Sequence, residues 1–164
     1  MVGPGKTRRG FTIIELMVIV TVLAILATLA VPSMRDMLIA TQVRAAASDL
    51  FESVILARSE AIKRGVNVDI VPASGDWKNG WSVMSGGATL ESREAATNVT
   101  ITANAGGNIT YRLDGRITSA SVRNLTLSTT VATSPVAARC VVIDASGRAS
   151  IKTDTDGNPA NGCN

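Results

Sequence analysis

Histidine is absent from all 164 residues. Its absence removes the commonest general base and metal ligand, and excludes any Ser-His-Asp or Cys-His catalytic arrangement. No phosphate-binding loop or dinucleotide fingerprint occurs; Gly86-Gly87 and Gly106-Gly107 read as turn glycines. No pair of carboxylates stands out, so the chain reads as a non-enzyme with neither cofactor nor metal. Aromatics are scarce, five in all (Trp77, Trp81, Tyr111, Phe11 and Phe51), so the apolar character comes from Ala, Val, Ile and Leu. Net charge is missing too once ten residues are set aside. Lys6, Arg8 and Arg9 supply the whole formal +3, leaving 13 basic against 13 acidic side chains beyond Gly10. The remainder therefore offers no bulk-charge argument for nucleic-acid binding.

What is present changes sharply along the chain. Residues 1–10 are short, polar and basic. Residues 11–31 are an apolar run with one charge, Glu15. That run is long enough to cross a bilayer as a helix, and the cations before it place residues 1–10 in the cytoplasm and the rest outside. Pro32 closes the run, yet a helical pattern resumes at once. Met34, Met37, Leu38, Ala46, Leu50, Phe51, Val54, Ala57, Ala61 and Ile62 recur at three- and four-residue steps, which predicts one amphipathic stripe over 33–65. Lys63-Arg64-Gly65 is a stop signal, with cations in the last turn and then a capping glycine. A helix over 12–64 would be about 80 Å long at 1.5 Å per residue. A small domain has no need of that length, so half of it is expected in membrane or among partner helices, and half on the head.

Glu15 is the anomaly. A carboxylate deep in an apolar helix costs about 2.5–3.5 kcal/mol on insertion scales. It either snorkels to the interface or is kept for a cationic partner. Cutting after Gly10 would create one, by freeing the amine of Phe11 four residues before Glu15. A neighbouring subunit's amine could then meet Glu15 as the helices bundle.

The run Arg9-Gly10-Phe11-Thr12-Ile13-Ile14-Glu15-Leu16-Met17-Val18, followed by Pro32, closely resembles the class III signal of type IV pilins and type II secretion pseudopilins. The resemblance implies that a prepilin peptidase removes residues 1–10 and N-methylates Phe11. It also implies that Phe11, Glu15 and Pro32 serve assembly, and that residues 11–32 anchor the chain in the bacterial inner membrane. The head would lie in the periplasm, and outside the cell after assembly into a fibre. The implied partners are other pilins or pseudopilins, the peptidase and the inner-membrane assembly machinery. The rival reading is an ordinary secretion signal cut after Thr28-Leu29-Ala30, which would start the mature chain at Val31; it leaves Glu15 and the continuing helix without a purpose.

Residues 66–164 read as a β-rich head. Strands are expected over 66–71, 80–84, 99–102, 109–113, 125–127, 139–144 and 148–152, with a hairpin turn at Ala145-Ser146-Gly147. One helix followed by strands on short turns predicts an α+β fold, the helix packed on a mainly antiparallel sheet. Trp77 and Trp81 read as core residues beside a turn, or alternatively as a binding platform. The stretches Asp76–Val83, Ile109–Gly115 and Cys140–Arg148 resemble the GspH/FimT branch of the pilin superfamily. This implies a minor pilin or pseudopilin, a structural or priming subunit of a type IV pilus or a type II secretion pseudopilus.

Cys140 and Cys163 are the only cysteines. Outside the cytoplasm two such thiols most simply pair, stapling the C-terminal tail to the last hairpin. Two cysteines without histidine make a poor metal set, and neither thiol has an obvious activating base. Asp154, Asp156 and Asn158 read as a solvated turn, lacking the closing Glu of a calcium loop. Some members of the resembled branch bind DNA during uptake through a basic C-terminal turn, here Gly147-Arg148-Ala149-Ser150, but with a second Arg where this chain has Ser150. A patch of Arg148, Arg139, Lys152 and Arg116, joined by Arg112 and Arg123, is the corresponding expectation. It holds only if the sheet brings these side chains together.

Overall fold

The computed structural model describes residues 10–119, 122–131 and 134–163. The leader expected over 1–10 lies outside these residues, except for Gly10. One helix, α1, spans Ile13–Arg64. Its start is capped by Thr12, whose hydroxyl accepts from the Glu15 N–H at 3.3 Å and whose carbonyl accepts from Leu16 at 3.2 Å. At its end Lys63 and Arg64 both turn to Glu60. Gly65 follows at φ +66°, a conformation that costs glycine little, and its N–H closes onto the Ala61 carbonyl at 3.0 Å.

Residues up to Arg35 and residues from Asp36 onward form two compact units. In the first, the helical side chains up to Thr28 are all exposed. In the second, the rest of α1 contributes Ile39, Val43, Ala46, Ala47, Leu50, Val54, Ala57 and Ala61 to a core from which they are almost wholly solvent-free. Only part of the expected stripe faces inward. Met34, Met37, Leu38 and Ile62 are more than half exposed. At 100° per residue the seam that passes through 39, 43, 46, 50, 54, 57 and 61 leaves these four on other faces. The seam is rich in alanine, which lets strands approach the helix axis closely.

Eight strands form two four-stranded antiparallel sheets, in keeping with the expected α+β fold. The first is ordered β3-β2-β1-β5, from β1 (Val68–Pro72), β2 (Gly80–Ser85), β3 (Ala88–Glu94) and β5 (Ile109–Tyr111). The second is ordered β4-β6-β7-β8, from β4 (Val99–Ala103), β6 (Arg123–Thr129), β7 (Arg139–Ile143) and β8 (Ala149–Thr153). Alternate residues from both sheets, including Ile70, Val83, Ile101, Leu125, Leu127 and Val141, meet the α1 seam in one core. β3 lacks apolar alternation, Leu90 being its one large apolar residue, and its signal is the Gly86-Gly87 turn that folds it back on β2. Ion pairs add to its ladder with β2. Arg93 pairs with Glu91 in its own strand and reaches Asp49 at 3.3 Å and Glu52 at 3.5 Å on α1.

Trp77 and Trp81 are both core residues, 4% and 2% exposed. The Trp81 indole N–H donates to the Ser53 hydroxyl on α1 at 2.9 Å, so a buried polar tip is satisfied across the helix–sheet contact. No platform is presented to solvent.

Candidate functional site

Two regions carry the sequence's functional signals: the amino-terminal segment and the β7–β8 hairpin with its tail. In the first, Gly10 and Phe11 precede the first helical turn and are exposed. A Cβ placed on Gly10 would meet nothing within 4 Å, and its φ lies outside the left-handed range. Among the described residues nothing therefore calls for glycine at this position. Phe11, Ile13 and Ile14 are 72%, 77% and 72% exposed, and the side chains from Leu16 to Leu26 continue the apolar surface. The helix they belong to contains a segment long and apolar enough to cross a membrane. The threonines within the run suit such a setting. Thr21 donates to the Met17 carbonyl and Thr28 to the Ile25 carbonyl, so neither hydroxyl needs water. Glu15 sits at the third helical position, where Thr12-x-x-Glu15 has the spacing of a capping box and the Glu15 N–H donates to the Thr12 hydroxyl. That signal was readable in the sequence and gives Glu15 a local role beside any partner it meets: its charge also favours the positive end of the helix. Pro32 lies inside the helical span.

In the second region Cys140 and Cys163 form a disulfide across 23 residues. It ties the tail to β7; a loop of this size is worth about 3 kcal/mol in the chain-entropy model. The hairpin turn is built around Asp144. Its carboxylate accepts from the Ser146 hydroxyl at 2.6 Å and the Arg148 N–H at 3.0 Å, and these bonds hold its pKa below the usual carboxylate range. The same turn seats on the first sheet. Tyr111 of β5 donates to the Gly147 carbonyl at 3.1 Å, and a Cβ on Gly147 would lie 2.1 Å from the Gly115 carbonyl oxygen.

Tyr111 is the chain's single tyrosine and is fully buried. Burial pushes its hydroxyl pKa up, above the value of about 10 it has in an unfolded chain. Its contribution to stability is thus complete below pH ~10 and drains away as pH rises beyond that, because only the unfolded state loses the proton readily. The melting temperature should fall above pH ~10, and Tyr111→Phe should remove that part of the fall while losing the bond to Gly147. Ultraviolet absorbance follows this one phenol directly; ionisation at an ordinary pKa in the folded protein would refute the assignment.

The expected basic patch does not converge. Arg123 is buried, its guanidinium donating to the carbonyls of Gly106, Gly107 and Asn108, so it braces a loop. Arg112 sits 3.9 Å from Asp114. Arg148 and Arg116 share one end of the hairpin, through the contact between the Gly147 and Gly115 turns. Arg139 is opposite Thr153 at the other end, with Lys152 next to that position. Four strand steps, about 13 Å, separate the two ends of β7. Arg139 lines a cleft with Arg44, Ala47, Ser48 and Ile151 instead.

Comparison with known proteins adds to this geometry. Residues 46–147 match the family described as type II transport protein GspH, and residues 5–31 match the prokaryotic N-terminal methylation motif. A fimbrial protein of Pseudomonas aeruginosa is 37% identical over 70 residues, covering 39% of this chain and 46% of that protein. The chain thus spans about half the length of the curated relative it matches. Among solved structures, the type IV minor pilin FimU of Pseudomonas aeruginosa aligns with a TM-score of 0.60 at 21% identity, over 76% of this chain and 96% of that one. The minor pseudopilin EpsH of the type 2 secretion system of Vibrio cholerae aligns with a TM-score of 0.53 at 10% identity, over 71% and 99%. These likenesses are of fold: a long amino-terminal helix packed on antiparallel sheets.

Proposed function

The chain belongs to the GspH family, within the type IV pilin-like proteins, and from that premise we propose that it is a minor pilin or pseudopilin, a structural or priming subunit of a type IV pilus or type II secretion pseudopilus. A prepilin peptidase cuts between Gly10 and Phe11 and the new amine is methylated. Residues 11–32 hold the subunit in the inner membrane with the head in the periplasm, until the assembly machinery draws the helix into a fibre of other pilins. There Glu15 meets the Phe11 amine of a neighbour. The observation that carries this reading is the uncovered apolar helix that lies within the methylation-motif match over residues 5–31. A head with its own complete core does not need it, whereas a bilayer or a bundle of like helices does. The freedom around Gly10 supports the cleavage site. A glycine that none of the described residues requires suits selection by an enzyme cleft that admits no side chain there. The divided cations give DNA uptake no support, and no such role is proposed.

The test is the mass and amino-terminal sequence of the protein from host membranes. A start at N-methylated Phe11 is expected. A start at Val31 would mean ordinary secretion and would remove the fibre mechanism; an uncut Met1 would leave a plain anchor.

A further inference from the structure

Between α1 and the second sheet runs a trough that the core leaves unfilled. Its two parts are clefts of about 330 Å³ and about 240 Å³, and Arg44 and Arg139 line both. The helix presents short side chains here, Ala40 in one cleft, Ala47 and Ser48 in the other. Ile151 shows the gap this leaves. It stands opposite Val141 across β7 and β8, so the two side chains share one face. Val141 is buried in the core, yet Ile151 is 39% exposed.

Arg139 belongs to that same face. It alternates along β7 with Val141 and Ile143, both fully buried. A cation on the core-facing side of a strand can emerge only where the core ends, and Arg139 emerges half-buried into the trough beside Arg44. Neither guanidinium has an ion pair among the described residues. Asp36 stands at one end of the trough, about 12 Å from Arg44 along the helix axis, and accepts from the Ser134 hydroxyl at 3.1 Å. Two like charges lining the same clefts repel. A carboxylate between them removes the repulsion and matches the guanidinium fork.

We propose that this trough docks an acidic segment of a neighbouring pilin, with Asp or Glu carboxylates on Arg44 and Arg139 and an apolar side chain beside them on Ile151 or Met37. A pilin neighbour presupposes the assembly role proposed above. Nucleic acid fits less well. It gains affinity from a run of contacted phosphates, whereas here two cations give way to apolar walls and a carboxylate. A second copy docked trough to trough would set four guanidiniums against one another.

The experiment uses the full chain in its host, with photoreactive benzoylphenylalanine in place of Ala137, an exposed residue lining the larger cleft. Illumination of fibres and sequencing of the cross-linked peptide should return another pilin, with Asp or Glu near the linked residue. R44E and R139E should each lose that product and enter sheared fibres at least ~10-fold less than wild type, the effect of losing charge-assisted hydrogen bonds. R44E, on the exposed side of α1, should melt within about 3 °C of wild type, and it carries the test if R139E disturbs the fold. Lysine at the cross-linked acidic position should restore at least one of the two variants. Normal incorporation of both, a cross-linked peptide without an acidic residue, no cross-link at all, or a lysine swap that restores neither would overturn the proposal. A cross-link to phospholipid, or duplex DNA retained by the wild type and lost by both variants, would overturn it by giving the trough to phosphates. A wild type absent from fibres would instead remove the assembly role itself, and this docking with it.

Discussion

Gly147→Ala is expected to cost the head about 3–5 kcal/mol, the sum of a left-handed backbone and a steric clash. Gly147 has φ +79°, and its new Cβ would fall 2.1 Å from the Gly115 carbonyl oxygen and 2.9 Å from the Tyr111 ring. The carbonyl is backbone in a tight turn and cannot swing aside as a long side chain would. Relief would mean lifting the hairpin turn from the first sheet, which also breaks the Tyr111 bond to Gly147. Emission from the buried Trp77 and Trp81 reports melting of the head, and the midpoint should drop by about 15 °C. Gly86→Ala is the control. Gly86 also has a positive φ, +56°, but its Cβ would meet nothing within 4 Å, so only the backbone cost of about 1 kcal/mol should appear. Equal losses at the two sites would show that the seat between the sheets does not matter.

Glu15 carries the second large effect, and three variants separate its two roles. Glu15→Ala loses both the charge and the capping box; Glu15→Gln keeps a side chain able to cap but cannot neutralise an amine. If Glu15 pairs with a neighbour's Phe11 amine in an apolar bundle, both variants should be cut normally after Gly10 yet enter fibres at least ~100-fold less, since breaking a buried pair costs about 3–5 kcal/mol. Glu15→Asp should recover part of the loss. Quantitative immunoblotting of sheared fibres against membranes measures this. Normal incorporation of the Gln variant would reduce Glu15 to a helix cap.

The sequence announced the long helix and its two ends because those signals are local. Thr12, the apolar run, Lys63-Arg64 and Gly65 act within a turn or two of where they stand. The disulfide was legible for the same kind of reason, two thiols and a compartment. What sequence hid was set by neighbours far along the chain. β3 closes a hairpin with β2 across Gly86-Gly87, but its contact with the helix is made by Arg93 and carboxylates some 40 residues earlier, which no periodicity records. Leu113 looked like a strand residue but is 57% exposed in the turn after β5, whose register ends at Tyr111. Arg123 looked like a surface cation because nothing in its local sequence reveals three carbonyls waiting in the loop 106–108. Asp154 looked solvated because its burial comes from strands and a tail folded over it.

The outer strands of the two sheets have a further consequence. β3 shows Glu91, Arg93 and Glu94 along its length, and β8 is open over most of its length with Lys152 near its end. Both are unpaired on one side, the situation in which a stray strand can add itself and start an aggregate. Charged residues make such addition costly at β3 and β8, and a short β5 offers little to join, whereas β4, the fourth outer strand, carries no charge. Any assembly that lines up many copies of this head along a common axis brings such edges to high local concentration. Under that crowding, the charges on β3 and β8 are a safeguard: neighbours can touch along these two strands without knitting into a continuous sheet.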